Sequence, residues 1–140
     1  MKINNIQDEI IDEFAFFDDW MERYEYIIDM GKKLSLIDPQ YKTDDHLIKG
    51  CQSKVWLHAE IKDGVVEFTA DSDALITKGI IALLVRVLSG RSVEDIVKAD
   101  LYFIEKIGLR EHLSSTRSNG LTSMIRQMKM YGIAYESAKE

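Results

Sequence analysis

A chain of 140 residues, 46% hydrophobic, suits a single domain spanning 1–140 around one core. A net charge of -6 with an isoelectric point near 5.1 argues against nucleic acid as a partner, because phosphate binding needs concentrated Lys and Arg. The longest apolar stretch, Ile80 to Val85 and past Arg86 to Leu88, falls short of the roughly 20 residues of a membrane span; no signal-peptide pattern opens the chain, and one cysteine excludes an internal disulfide, so the expectation is a cytoplasmic protein without membrane association.

Ile6, Ile10, Phe14 and Phe17 recur at helical spacing and predict a helix over 4–16. The acidic residues around it, Asp8, Glu9 and Asp12, and then Asp18, Asp19 and Glu22, read as solvated helix faces or as an acidic docking surface. Asp18-Asp19 breaks the helix, and Asp19 with Glu22 resembles a capping box. Trp20, Tyr24, Ile27, Ile28 and Gly31 predict the inner stripe of a second helix ending near Leu36. Asp38-Pro39 is a turn signal, and the polar residues 37–50 read as a surface loop.

From Val55 the period changes to two. Val55, Leu57, Ala59 and Ile61 share one face, and Asp63-Gly64 signals a two-residue hairpin. That turn pairs Ile61 with Val66, Ala59 with Phe68 and Leu57 with Ala70, so the expected register puts all six on the core face; Glu60 and Glu67 meet on the other. Ser72 or Asp73 is the expected cap of the next helix, Leu75 to Leu88, which is apolar nearly all round and therefore central. Gly79 within it implies close approach of another backbone. Ser92 starts a short helix to about Lys98; another runs from Tyr102 to Ile107 and stops at Gly108; Leu121, Ile125, Met128 and Tyr135 mark a last amphipathic helix. The fold class is α+β, a small antiparallel sheet covered by helices.

Cys51, the only cysteine, stands between the loop and the first strand, after Gly50. It is either a small core hydrophobe or a nucleophile. The hairpin register extended backwards sets Val55 opposite Ser72, Ser53 opposite Ala74, and Cys51 just beyond the first turn of the central helix. There burial would raise the thiol pKa and the helix dipole would lower it, with Asp71 and Asp73 opposing the dipole. His46, His58 and His112 lack recognised zinc-ligand spacing with Cys51, and a Cys–His pair with His112 stays open. No C-x-x-C pair and no glycine-rich phosphate loop is present.

Four blocks carry a resemblance: Trp20-x-x-Arg23-Tyr24-x-Tyr26-Ile27-Ile28-x-x-Gly31; Gly50-Cys51-Gln52-Ser53-x-Val55-Trp56-Leu57; Ala70-Asp71-Ser72-Asp73-Ala74-x-Ile76-x-Lys78-Gly79; and His112-Leu113-Ser114-x-x-Arg117-Ser118-Asn119-Gly120-Leu121. In order and spacing they resemble the SufE family and the related CsdE proteins. The resemblance implies a SufE/IscU-like fold without the cluster scaffold's set of cysteine ligands. It implies a sulfur acceptor that takes persulfide sulfur from a SufS-type cysteine desulfurase onto Cys51, stimulates that enzyme and passes sulfur on to an iron–sulfur scaffold. Such a protein needs no cofactor of its own, since pyridoxal phosphate belongs to the desulfurase, and it is a transfer partner and activator more than an independent enzyme. The residues expected to face the partner are Gly50, Gln52, Ser53, Arg117, Ser118, Asn119 and Gly120, with Asp73 and Lys78 structural. Where the family usually has proline after the Ser or Thr of the last block, this chain has Ser115. Two other functions stay open: a regulatory module that docks without carrying sulfur, and a thiol-dependent peroxidase.

Overall fold

In the computed structural model, which describes residues 2–139, strand β1 (Val55–Lys62) pairs antiparallel with β2 (Val65–Ser72) in the register that the turn predicts. Ile61 meets Val66, Ala59 meets Phe68 and Leu57 meets Ala70. Asp63 and Gly64 turn at φ 53° and 81°, the left-handed pair that a two-residue hairpin of this hand requires. The core face is buried at Val55, Leu57 and Ala59, but Ile61 is 41% exposed, contrary to expectation: it sits at the hairpin tip, where the burial of β1 gives out.

The other edge of β2 is covered piecewise. A two-residue strand, β3 (Arg91–Ser92), pairs with Val65 and Val66, completing a three-stranded antiparallel sheet of order β1-β2-β3. The hydroxyl of Ser89 accepts from the Phe68 N–H at 2.8 Å. Further along, the Ala70 carbonyl accepts from the Ile37 N–H and the Ala70 N–H donates to the Ser35 carbonyl, a short parallel bridge. An edge of unpaired donors and acceptors is thereby avoided.

Helix α1 (Ile3–Ala15) buries Ile10 and Phe14 as its periodicity predicts. It also buries Gln7, whose amide is fully used: its oxygen accepts from the Phe103 N–H at 3.1 Å and its nitrogen donates to the Asp100 carbonyl at 3.0 Å. A buried amide so paired ties α1 to the chain about a hundred residues later at no desolvation penalty left open. Helix α2 (Trp20–Lys32) is capped by Asp19, which accepts from the Glu22 N–H. It ends at Lys32 and not near Leu36, because residues 35–37 give their backbone to the edge of β2 while Leu34 and Ile37 enter the core.

Helix α3 (Leu75–Leu88) is central, buried from Gly79 to Val85 without a break. Its N-cap is Ala74, not Ser72 or Asp73. The Ser72 hydroxyl accepts from the Ala74 N–H, and the Asp73 carboxylate accepts from the Lys54 N–H, so both expected caps serve backbone just outside the helix. Gly79 is the crossing point with α2: a Cβ there would lie 2.1 Å from the Ile27 carbonyl oxygen, and one at Gly31 would lie 3.0 Å from the Gly79 nitrogen. Helix α4 (Val93–Lys98) is capped by Ser92, and α5 (Phe103–Lys106) is followed by Gly108 at φ 72°. Helix α6 (Ser115–Lys139) packs on α4 through Gly132, and its Tyr135 hydroxyl donates to the Ala59 carbonyl on the free edge of β1 at 3.0 Å. Among the described residues no helix is long and apolar enough to cross a membrane. The architecture is α+β.

Candidate functional site: a thiol at a loop–helix contact

Residues 37–50 form a tethered loop. Two 3-10 turns, Pro39–Tyr41 and Asp44–His46, lie over the outer face of β1, where the Tyr41 ring stacks on His58 at 3.7 Å and His46 Nε2 approaches His58 Nδ1 at 3.3 Å. Leu47 bridges to Trp56, the Ile48 N–H donates to the Val55 carbonyl at 2.8 Å, and Ile48 is buried. The chain therefore reaches Gly50 already anchored on one side. The antiparallel ladder anchors the other side: it stops at Val55 and Ser72, where the Asp73 carboxylate takes the Lys54 N–H and the Asp73 N–H donates to the Lys54 carbonyl. Ser53 therefore does not pair with Ala74 as the extended register implied.

Between these anchors Gly50 adopts φ 93°, a conformation only glycine takes readily, and a Cβ on it would lie 2.5 Å from the Ser123 hydroxyl of α6. The turn throws Cys51 against the same helix. Its Sγ lies 3.6 Å from the Gly120 carbonyl oxygen, a weak thiol hydrogen bond, and Gly120 presents no side chain in the way. Cys51 is thus partly buried, neither a core residue nor a free surface thiol.

Beside the thiol is a recess of about 60 Å³, lined by Gln52 and Ser53 from the loop, Thr77 and Ile80 from α3, and Thr116, Arg117, Gly120 and Met124 from α6. The recess has room for a few waters or an added sulfur atom, but not for a ligand of cofactor size, which takes about 300 Å³ or more. Burial pushes the Cys51 thiol above its ordinary value. The opposing pull of the α3 N-terminus does not set the direction. The thiol shares its recess with Thr77 and Ile80 of α3 and bonds to the Gly120 carbonyl of α6. Asp71 is engaged elsewhere. Burial alone would raise its carboxyl, but bonds from Lys42, the Ser72 N–H and Lys78 outweigh this and hold it low.

Of the residues expected around the thiol, Gln52, Ser53, Arg117 and Gly120 share the recess with Cys51, and Gly50 shapes the turn behind it. Arg117 stands in the first turn of α6, where its N–H donates to the Ser114 hydroxyl cap at 3.2 Å. Ser118 faces away: its hydroxyl and carbonyl accept from Arg110 at 3.0 and 3.1 Å. Asn119 is exposed and does not line the recess. Thr77, Ile80, Thr116, Ser123 and Met124 complete the site unforeseen. Thr77 had a visible signal, a small polar residue in a largely apolar helix, and it is only 6% exposed. His112 is not a partner of the thiol. Its ring stacks on Trp20 at 3.9 Å and its Nδ1 meets the Gly108 carbonyl, so the Cys–His pair is set aside. Among the described residues no group of three or more His, Cys, Asp or Glu is placed to hold a metal ion.

Comparison with known proteins bears on the same residues. The family model "SufE: Fe-S metabolism associated domain" matches residues 8–132. An uncharacterized SufE-like protein of Rhizobium meliloti (strain 1021) is 44% identical over 127 residues, covering 87% of this chain and 91% of that protein. SufE-like protein 1, chloroplastic/mitochondrial, of Arabidopsis thaliana is 37% identical over 129 residues, covering 91% of this chain and 35% of that longer protein. The solution structure of a hypothetical protein from Thermus thermophilus shares the fold, with a TM-score of 0.78, 19% identity and coverage of 94% of this chain and 96% of that one. On the extent of the family match and the level of identity to its relatives, this chain belongs to the SufE family.

Proposed function

We propose that this protein is a sulfur acceptor and carrier in iron–sulfur metabolism, taking persulfide sulfur from a SufS-type cysteine desulfurase onto Cys51. The observation that carries the reading is the setting of the thiol. Cys51 sits on a glycine-hinged loop against α6, beside a recess with room for an added sulfur atom but not for a ligand of cofactor size. That setting suits a thiol whose sulfur is presented by another protein. The membership in a family of Fe–S metabolism supports the same conclusion.

In the transfer step the Cys51 thiolate attacks the outer sulfur of the donor's persulfide. The new sulfur–sulfur bond forms as the old one breaks, the donor leaves as thiolate, and Cys51 becomes the persulfide with no net oxidation. The thiol gives up its proton to solvent or to the donor site, and burial makes that harder in the free protein. Partial shielding in the resting state limits oxidation of the carried sulfur. Transfer then requires the Gly50 loop to swing outward, breaking the Sγ contact with the Gly120 carbonyl. The carried sulfur passes to a downstream iron–sulfur scaffold. Pyridoxal phosphate remains with the desulfurase, and this protein acts without a cofactor of its own.

The experiment is to assay a SufS-type desulfurase with the wild-type protein and with Cys51→Ser. Stimulated turnover that depends on Cys51, with binding retained in the variant, supports the acceptor. Full stimulation by Cys51→Ser makes the protein a docking module, and rapid peroxide consumption by the protein alone makes it a peroxidase.

A further inference from the structure

The two segments that build the thiol site differ in charge from the rest of the chain. Residues 46–59 and 112–135 contain Lys49, Lys54, Arg117, Arg126 and Lys129 but no Asp or Glu, in a chain of net charge -6. Lys49, Lys54, Arg117 and Arg126 are exposed, and among the described residues none of the four side chains makes an ion pair. Elsewhere Lys42 and Lys78 hold Asp71, Arg86 holds Glu13 and Lys98 holds Glu94, while Lys62 and Lys106 are exposed without an ion pair among the described residues.

Arg117, Lys49 and Arg126 flank the thiol on two sides. Arg117 lines the recess beside Cys51. Behind Gly50, which touches Ser123, a second cleft of about 350 Å³ is lined by Lys49 and Arg126 with Ser123, Gln127, Leu47 and Asp45. Asp45 is the acid in that cleft, yet it lies beyond ion-pair distance of both cations. Asp73 bonds the Lys54 N–H, leaving the Lys54 ammonium free.

We infer that the thiol lies at the centre of a cationic docking face whose partner is a protein surface rich in carboxylates around its sulfur donor; this rests on the acceptor reading above. An acidic partner would be repelled by most of this chain and drawn to the one face that carries Cys51. Solvated rim charges of this kind act chiefly on the association rate and its salt dependence.

The probe is a SufS-type cysteine desulfurase, with association followed by stopped flow between 50 and 300 mM NaCl and sulfur loading of Cys51 read by mass at each salt. The rate is expected to fall roughly tenfold across that range. Lys49→Glu with Arg126→Glu should lower the rate at 50 mM salt by a similar factor. Lys62→Glu with Lys106→Glu, the same charge change on exposed residues outside both clefts, should not. A salt-independent rate, or equal slowing by the two double variants, with Cys51 loaded normally, overturns the cationic face and leaves the acceptor standing. Absence of loading at every salt overturns the acceptor reading and this inference with it.

Discussion

Gly50→Ala isolates the strain that holds the thiol in place. Two costs arise. At φ 93° an alanine carries roughly 1–3 kcal/mol of backbone strain. Its Cβ also falls 2.5 Å from the Ser123 hydroxyl, with the Ser123 Cβ at 3.4 Å, an ordinary contact. Ser123→Ala in the same chain removes the first contact and keeps the second, so the double-mutant cycle separates steric from conformational cost. The loop is short, and local opening needs less free energy than global unfolding. The strain is therefore relieved by detaching Cys51 from Gly120. The assay is alkylation of Cys51 by iodoacetamide, with urea denaturation in parallel. Gly50→Ala should be alkylated several-fold faster, with a stability loss of no more than about 3 kcal/mol. Adding Ser123→Ala should restore part of the protection but not all. Unchanged alkylation and unchanged stability in Gly50→Ala would refute the view that Gly50 fixes the resting position of the thiol.

Three further outcomes are expected. Alkylation of the wild-type thiol should rise with pH to a midpoint above the ordinary thiol value of about 8.5, because burial disfavours the thiolate; a midpoint at or below it would mean an unrecognised cation acts on Cys51. Glu13→Gln should cost about 1–2 kcal/mol near neutral pH, since the carboxylate accepts from both Arg86 nitrogens at 2.8 and 2.6 Å and from the Tyr26 hydroxyl. Arg86 holds the Glu13 carboxyl below its ordinary 4.5, so this stability is present above that value and lost as pH falls through the lower folded one; denaturation curves of the two proteins should converge in acid, and a pH-independent gap would contradict the pairing. Gly79→Ala gains about 1 kcal/mol of helix propensity, yet should be destabilised by about 2 kcal/mol in urea, because its Cβ meets the Ile27 carbonyl at 2.1 Å; a stabilised variant would show that α2 and α3 part easily.

The hairpin was legible residue by residue because two independent signals agree there. Asp63-Gly64 fixes the turn, and one register alone pairs apolar with apolar. The close approach at Gly79 was legible for a similar reason: a costly residue in a buried helix needs a compensating contact. The end of α2 was not, since Leu34, Leu36 and Ile37 suit a helix stripe as well as a sheet edge, and the choice depends on the unpaired edge of β2. The cap of α3 failed because Ser72 and Asp73 are both good caps with competing donors nearby, and those donors are set by the tertiary fold. At the site, Gly50 and Cys51 stood out from composition and position alone. Their contact with Gly120 and Ser123 joins residues about seventy apart, which spacing along one chain does not encode. The family resemblance supplied Arg117 and Gly120; Thr116 and Met124 came only from the folded chain.

The central claim is that Cys51 accepts sulfur, and intact mass tests it most directly. The protein is incubated with a SufS-type desulfurase, pyridoxal phosphate and cysteine, with Cys51→Ser in parallel. A gain of one sulfur mass, removed by reductant and absent from the variant, is the predicted result. No gain while the desulfurase turns over and binds the protein would contradict it.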